Sequence, residues 1–197
     1  MSAIVLATGN AGKLREMQAV LEPLSLSVVP QSNFKMPEVE ETGLSFVENA
    51  LIKARAAANA SGHAAIADDS GLEVDALKGQ PGIYSARFAG VHGDDEANNR
   101  KLLQSLDGLP EDQRGARFVC CMVYMRHAAD PVPLIATGLW QGRIIESPRG
   151  DNGFGYDPLF WVPEQNCCSA ELAPEVKNRI SHRAQALRNL IEQISNL

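Results

Sequence analysis

Apolar residues first gather at residues 3–7 (Ala-Ile-Val-Leu-Ala), a run that stops at Thr8-Gly9-Asn10, after which Leu14, Met17, Val20 and Leu21 recur at helical spacing. That pattern predicts strand, loop and helix. A second strand is expected over residues 25–29, followed by a loop over 30–41 that turns acidic at Glu38, Glu40 and Glu41. The clearest helix comes next. Ser45 with Glu48 three residues on forms a capping box, Phe46, Ala50, Leu51, Ala54, Ala57 and Ala58 make the buried stripe, and Gly62 ends it. Residues 64–67 read as a buried strand running into Asp68-Asp69-Ser70-Gly71, with a short strand possible around 72–74.

Turns are expected at residues 79–82 and a helix over 94–106. Strands over 117–125 and 134–145 resemble a hairpin across the Asp130-Pro131 turn. A Gly-rich loop over 150–158 leads into a strand at 159–162, and a last helix follows Ser181 with Ala184, Leu187, Leu190, Ile191 and Ile194 on one face. No internal repeat or long linker interrupts the order, which is that of one mixed α/β domain spanning residues 1–197.

Composition narrows the partners. Of 197 residues, 18 are Lys or Arg and 24 Asp or Glu, a formal net charge of −6, and 45% are hydrophobic. Such a chain can bury a sizeable core, and without a basic run it offers no continuous positive face for a nucleic acid polymer or an anionic membrane. The four cysteines fall as adjacent pairs, Cys120-Cys121 and Cys167-Cys168, without the spacing of a zinc site or a disulfide framework. With neither a signal-like leader nor an apolar run long enough for a membrane span, a reducing cytoplasm is the expected setting.

Candidate chemistry lies at the element boundaries. Thr8-Gly9-Asn10-Ala11-Gly12-Lys13 follows a strand and opens a helix, where free amides and the positive dipole end gather anions. It is not a Walker A loop, because Ala7 and Leu14 occupy positions that need Gly and Ser or Thr. Lys13 opposes the helix dipole there, which an anion lying between them would explain. Lys53 stands one turn beyond Asn49 at the margin of the apolar stripe, either as a second positive group or as a surface lysine laid along the helix.

Asp68 and Asp69 close a hydrophobic strand, a position suited to Mg²⁺ and phosphate or simply to a polar turn; Glu38, Glu40 or Glu41 could add a ligand. Gly153-Phe154-Gly155-Tyr156-Asp157-Pro158 sets an aromatic between glycines, for stacking on a flat ligand or for the core. Ser181-His182-Arg183, with Lys177, offers donors to a ligand rich in acceptors.

In sequence order, Thr8-Gly9-Asn10-x-x-Lys13, Glu41-Thr42-Gly43 with Glu48-Asn49-Ala50 and Lys53-Ala54, Ala67-Asp68-Asp69-Ser70-Gly71-Leu72, Pro81-Gly82-Ile83-Tyr84-Ser85-Ala86-Arg87, Gly153 to Pro158 and Ser181-His182-Arg183 resemble the inosine triphosphatase family. The similarity is greatest to its bacterial dITP/XTP pyrophosphatase branch. The resemblance implies an elongated central mixed β-sheet flanked by helices, with two lobes, an active-site cleft and a homodimer. It also implies Mg²⁺-dependent hydrolysis of deaminated purine nucleoside triphosphates (ITP, dITP, XTP) to the monophosphate and pyrophosphate, clearing them from the nucleotide pool.

Carried over by position, Thr8, Gly9, Asn10, Ala11, Gly12 and Lys13 hold the phosphates, with Lys53 as a second cation. Asp69, beside Asp68, is proton acceptor and metal ligand; Glu40 or Glu41 is the second acidic metal position. Ser70 contacts substrate, and Phe154, Gly155, Tyr156, Asp157, Lys177, His182 and Arg183 contact the nucleotide, chiefly its base. The cysteine pair in Asn166-Cys167-Cys168-Ser169 departs from the family pattern. Two rival readings are a nonhydrolytic nucleotide-binding module and a pyrophosphatase of other modified nucleotides, such as a methylated pyrimidine triphosphate.

Overall fold

The computed structural model describes residues 3–21, 27–36 and 39–196. Seven strands form one mixed sheet in the order β2-β1-β3-β4-β5-β6-β7. They are β1 (Ile4–Leu6), β2 (Val28–Pro30), β3 (Ala64–Val74), β4 (Gly115–Met125), β5 (Leu134–Ile144), β6 (Phe160–Val162) and β7 (Cys167–Cys168), and the helices are α1 (Ala11–Leu21), α2 (Phe46–Ser61), α3 (Asp95–Ser105), α4 (Pro174–Ile180) and α5 (His182–Ser195). β1 pairs parallel with β2 and β3, whereas β6 pairs antiparallel with β5 and β7. Among the described residues, no helix is long and apolar enough to cross a membrane.

The chain divides into two compact units, the first made of residues 1–69, 120–138 and 182–197 and the second of residues 70–119 and 139–181. In the first unit the sheet is covered on both faces. One face packs Ile4, Leu6, Ile66, Cys120 and Met122 against Met17 and Leu21 of α1 and Leu187 and Leu190 of α5. The other packs Val5, Ala65, Ala67, Val123 and Met125 against Ala50, Ala54, Ala57 and Ala58 of α2. Alanines suit that helix because small side chains let it lie close to the strands. Its ends are those the sequence predicts: the Ser45 side chain accepts from the Glu48 amide, and Gly62 is left-handed with φ of 71°.

The core of the second unit gathers Leu72, Val74, Leu102, Leu106, Phe118, Trp140, Tyr156 and Phe160. Trp140 lies in this core, its ring 5.3 Å from that of Phe160, whereas Trp161 is half-buried under the guanidinium of Arg143 at 5.0 Å. The four cysteines are free thiols.

Two features differ from the sequence reading. Residues 64–74 form one continuous strand rather than strand, loop and short strand. Asp, Ser and Gly are poor strand formers, but pairing within a sheet overrides that preference. β7 and α4 are two and seven residues long, too short to show a hydrophobic period. Residues 25–26 of the second expected strand, and Glu38, lie outside the described residues, while Val28–Pro30 is the strand that pairs with β1.

Candidate active site

In the first unit the site follows from the shortness of β1. Its ladder with β3 ends at Leu6 opposite Ile66, and the Ala7 amide makes one more bond to the Ile66 carbonyl. β3 runs on past that point, so Asp68 and Asp69 flank the loop that carries the chain from β1 into α1. Successive residues of a strand point to opposite faces. Asp68 shares its face with Ile66, on the side of α1 and α5, and Asp69 shares its face with Ala67, on the side of α2. The two carboxylates therefore face opposite sides of the sheet, and each has its own set of partners.

Asp68 is a buried anion. Its Oδ2 lies 3.0 Å from Lys13 Nζ and 3.6 Å from Arg183 Nε, and the Cys120 thiol stands 4.0 Å away. The guanidinium of Arg183 also pairs with Glu16, which ties the first turn of α5 to α1. Burial alone would raise the Asp68 pKa, but Lys13, Arg183 and Lys53 together outweigh it and hold the carboxyl well below the usual carboxylate range. Asp68 Oδ1 is buried and has no hydrogen-bond partner among the described residues. Cys120 is pushed the other way by burial and by Asp68, so it stays a neutral thiol.

Asp69 faces α2. Its Oδ1 accepts from Lys53 Nζ at 3.2 Å and its Oδ2 from Asn49 Nδ2 at 3.2 Å. Lys53 Nζ also meets Glu41 Oε1 at 2.7 Å, so Glu41 and Asp69 share one ammonium. Burial would drive the proton off Lys53, yet Asp69, Asp68 and Glu41 more than compensate and keep it charged. For Asp69 the balance falls the opposite way. Desolvation, with Glu41 adding to it, exceeds what Lys53, Lys13 and Asn49 return, and its pKa lies above the ordinary value.

The loop into α1 is shaped by its own side chains. The Asn10 carboxamide oxygen accepts from the Lys13 amide at 3.0 Å as a helix cap, and Thr8 Oγ1 accepts from the Asn10 amide at 3.2 Å. Gly9, Asn10 and Ala11 are exposed, while Thr8, Gly12 and Lys13 are half-buried. No acidic residue occupies the first turn of α1, which leaves Lys13 beside its positive end.

A second cluster is built entirely within the second unit. Asp157, 2% exposed, accepts from Lys177 Nζ at 2.5 Å and the Phe154 amide at 2.9 Å through Oδ2, and from Ser169 Oγ at 2.7 Å through Oδ1. The Lys177 ammonium lies 5.1 Å from the centre of the half-buried Phe154 ring. Gly153 is obligatory: its φ is +80°, and a Cβ there would stand 2.1 Å from Asp157 Oδ2. Helix α3 holds Gly155, two residues on, at both backbone groups, since its amide donates to Asp95 at 2.7 Å and its carbonyl accepts from Asn99 at 2.9 Å. Tyr156 is buried and donates to the Ser85 carbonyl at 2.8 Å.

The structure thus brings Lys13, Asp68 and Arg183 together on one face of β3, and Glu41, Lys53 and Asp69 on the other. Of the acidic loop, Glu41 reaches this group; Glu40 is exposed. His182 opens α5 and is 4% exposed, and Ser70, the next residue of β3, is half-buried and belongs to the second unit. Asn49, Glu16, Ser169, Asp95 and Asn99 were not foreseen. Only Asn49 carried a signal, as a polar residue directly beside the alanine stripe and four residues before Lys53.

The model of the Ham1 family matches residues 4–193. The chain belongs to the Ham1 family. This bears out the resemblance read from the six sequence blocks. Among relatives of this Ham1 chain, the dITP/XTP pyrophosphatase of Vibrio cholerae serotype O1 is 57% identical over 98% of this chain and 97% of its own. The dITP/XTP pyrophosphatase of Thioalkalivibrio sulfidiphilus is 60% identical over 97% of each. The solved structure of a HAM1 protein from Coxiella burnetii superposes with a TM-score of 0.91 at 47% identity over 100% of both chains. That of the nucleoside-triphosphatase, dITP/XTP pyrophosphatase, from Mycobacterium abscessus gives 0.77 at 43% over 98% of this chain and 99% of that one.

Proposed function

We propose that this Ham1 protein hydrolyses deaminated purine nucleoside triphosphates, ITP, dITP and XTP, between the α- and β-phosphates, giving the nucleoside monophosphate and pyrophosphate. The names of relatives at 57% and 60% identity supply the substrate class. The observation that carries the chemistry is the sharing of Lys53 by Glu41 and Asp69, at 2.7 and 3.2 Å. Two anionic oxygens that meet one cation leave an acidic pair beside fixed positive charge, the combination phosphoryl chemistry needs.

The same pair suits Mg²⁺. Among the described residues no group of three or more His, Cys, Asp or Glu side chains gathers to hold a metal. One or two hard carboxylates are, however, the usual protein contribution to a magnesium site completed by water and substrate phosphates. Glu41 and Asp69 would hold the ion, which would supply positive charge at the phosphate oxygens and Lewis acidity toward water.

The remaining work falls to this chain. Lys13 and Lys53 neutralise the triphosphate, and the amides of residues 8–13 receive its oxygens at the positive end of α1. Asp69 orients the attacking water and takes its proton as the oxygen bonds to the α-phosphorus and the bridge to the β-phosphate breaks. Asp68 fixes Lys13 from below.

In the second unit Phe154 offers its ring to the base, with Asp157, Tyr156 and the α3 contacts holding the loop in shape and Lys177 adding positive charge over the ring. Hypoxanthine and xanthine present an O6 acceptor where adenine presents an amino donor, so hydrogen-bond donors that face the purine edge favour the deaminated purines. Hydrogen bonding to a distinguishing group can discriminate by about 10⁴–10⁵. The reading carries with it a single functional domain, a homodimer and a cytoplasmic setting. Its test is a panel of ITP, dITP, XTP, ATP, GTP and methylated pyrimidine triphosphates with Mg²⁺, products identified by mass spectrometry. Inosine or xanthosine monophosphate with pyrophosphate is expected; a diphosphate with inorganic phosphate, or no turnover, contradicts it.

A further inference from the structure

Helix α2 presents two polar side chains to the acidic pair, Asn49 and, one turn later, Lys53. Asn49 is 0% exposed, and both ends of its carboxamide are engaged. Nδ2 donates to Asp69 Oδ2 at 3.2 Å, and Oδ1 accepts from the Gly43 amide at 2.8 Å. The orientation of the amide is fixed by this pairing, because a carboxylate accepts and a backbone amide donates. Gly43 lies two residues beyond Glu41, on the loop that also receives the capping-box glutamate: Glu48 Oε2 accepts from the Leu44 amide at 2.9 Å. The loop is pressed hard onto the helix. A Cβ on Gly43 would stand 2.6 Å from Glu48 Cβ and 2.7 Å from Asn49 Oδ1, so only glycine lets the backbone come within reach of the carboxamide.

One buried side chain therefore touches the strand that carries Asp69 and the loop that carries Glu41. Lys53 links the same two partners through their carboxylates. With Asp69 Oδ2 taken by Asn49 and Oδ1 by Lys53, rotation of the carboxylate about its own axis would cost both bonds. We infer that Asn49 is a positioning residue for the hydrolytic reaction, setting the orientation of Asp69 directly and the approach of Glu41 through the Gly43 backbone.

This rests on the proposed pyrophosphatase activity, and the experiment keeps the two apart. Wild type, Asn49→Ala and Asn49→Asp are compared for kcat and KM with ITP, for equilibrium ITP binding, and for folded content by circular dichroism. Asn49→Asp retains an acceptor for the Gly43 amide but lacks the donor to Asp69, which separates holding the loop from orienting the carboxylate. Expected are losses in kcat of about 10- to 100-fold in both variants, the range for removing a group that orients a reactive ligand, with KM and ITP affinity changed by less than about threefold. Wild-type kcat in Asn49→Asp, an effect confined to KM, or a loss of kcat matched by an equal loss of folded protein overturns the inference. Failure of wild type to release pyrophosphate would instead overturn the activity itself.

Discussion

Asp68→Asn replaces a fully buried carboxylate with its neutral isostere and leaves Lys13 and Arg183 without the anion that both face at 3.0 and 3.6 Å. Removing one partner of a buried ion pair typically costs about 3–5 kcal/mol, because the charge left behind is no longer compensated. Arg183 keeps Glu16, and Lys13, with 16% of its side chain exposed, can regain some hydration, so the lower end of that range, about 3 kcal/mol, applies. For a chain of this size that is a fall of roughly 6–12 °C in Tm. The sign of the pH dependence follows from the depressed pKa. The stabilisation is present above the ordinary aspartate pKa of about 3.9 and is lost only as pH falls through the still lower folded value. Urea unfolding followed by circular dichroism from about pH 8 to 5 should therefore show a constant gap between wild type and variant. Asp69→Asn serves as the contrast. Its pKa is raised, so the folded state disfavours its charge, and removing that charge should leave stability at pH 7 unchanged or improved, a benefit that is lost as pH falls through the raised Asp69 pKa and is gone by the ordinary aspartate value of about 3.9. A gap for Asp68→Asn under about 1 kcal/mol at pH 7, or one that closes already between pH 6 and 5, would refute the reasoning.

Further expectations follow from the same geometry. Gly153→Ala, which drives a Cβ to 2.1 Å from Asp157 Oδ2 at a positive φ, should raise KM for ITP far more than it lowers kcat, measured by steady-state kinetics; an unchanged KM would detach this loop from nucleotide binding. Arg183→Ala removes a buried guanidinium from Asp68 and Glu16 and should lower the ITP-over-ATP preference in kcat/KM, an unchanged ratio counting against a role in selectivity. Because Asp69 must be ionised to hold Mg²⁺ and its pKa in the metal-free protein is raised, Mg²⁺ affinity measured by calorimetry should begin to fall on acidification above the ordinary aspartate range, whereas an affinity that stays constant down to about pH 3.9 would contradict this assignment.

Much of this was legible in the sequence where local physics is strong. The capped alanine helix α2 shows its cap, its stripe and its stop within one segment, and the spacing of Leu14, Met17 and Leu21 shows the buried side of α1. What stayed hidden depends on pairing at long range. The separation of Asp68 from Asp69 follows at once from the two-residue period of a strand, but the local composition of Asp68-Asp69-Ser70-Gly71 favours a turn, and only the sheet makes it a strand. Glu41 could not be told from Glu40 because a loop has no period; in three dimensions Glu41 is the one paired with Lys53. Arg183 reads as an exposed donor at a helix start, yet Glu16, 167 residues away in sequence, draws it into the interior.

The central claim, that Asp69 carries the proton chemistry rather than nucleotide affinity, is tested most directly by single-turnover hydrolysis and equilibrium ITP binding measured on one preparation of Asp69→Asn. Loss of pyrophosphate release with ITP affinity close to wild type is the predicted result. Near-normal release of pyrophosphate by that variant would contradict the account.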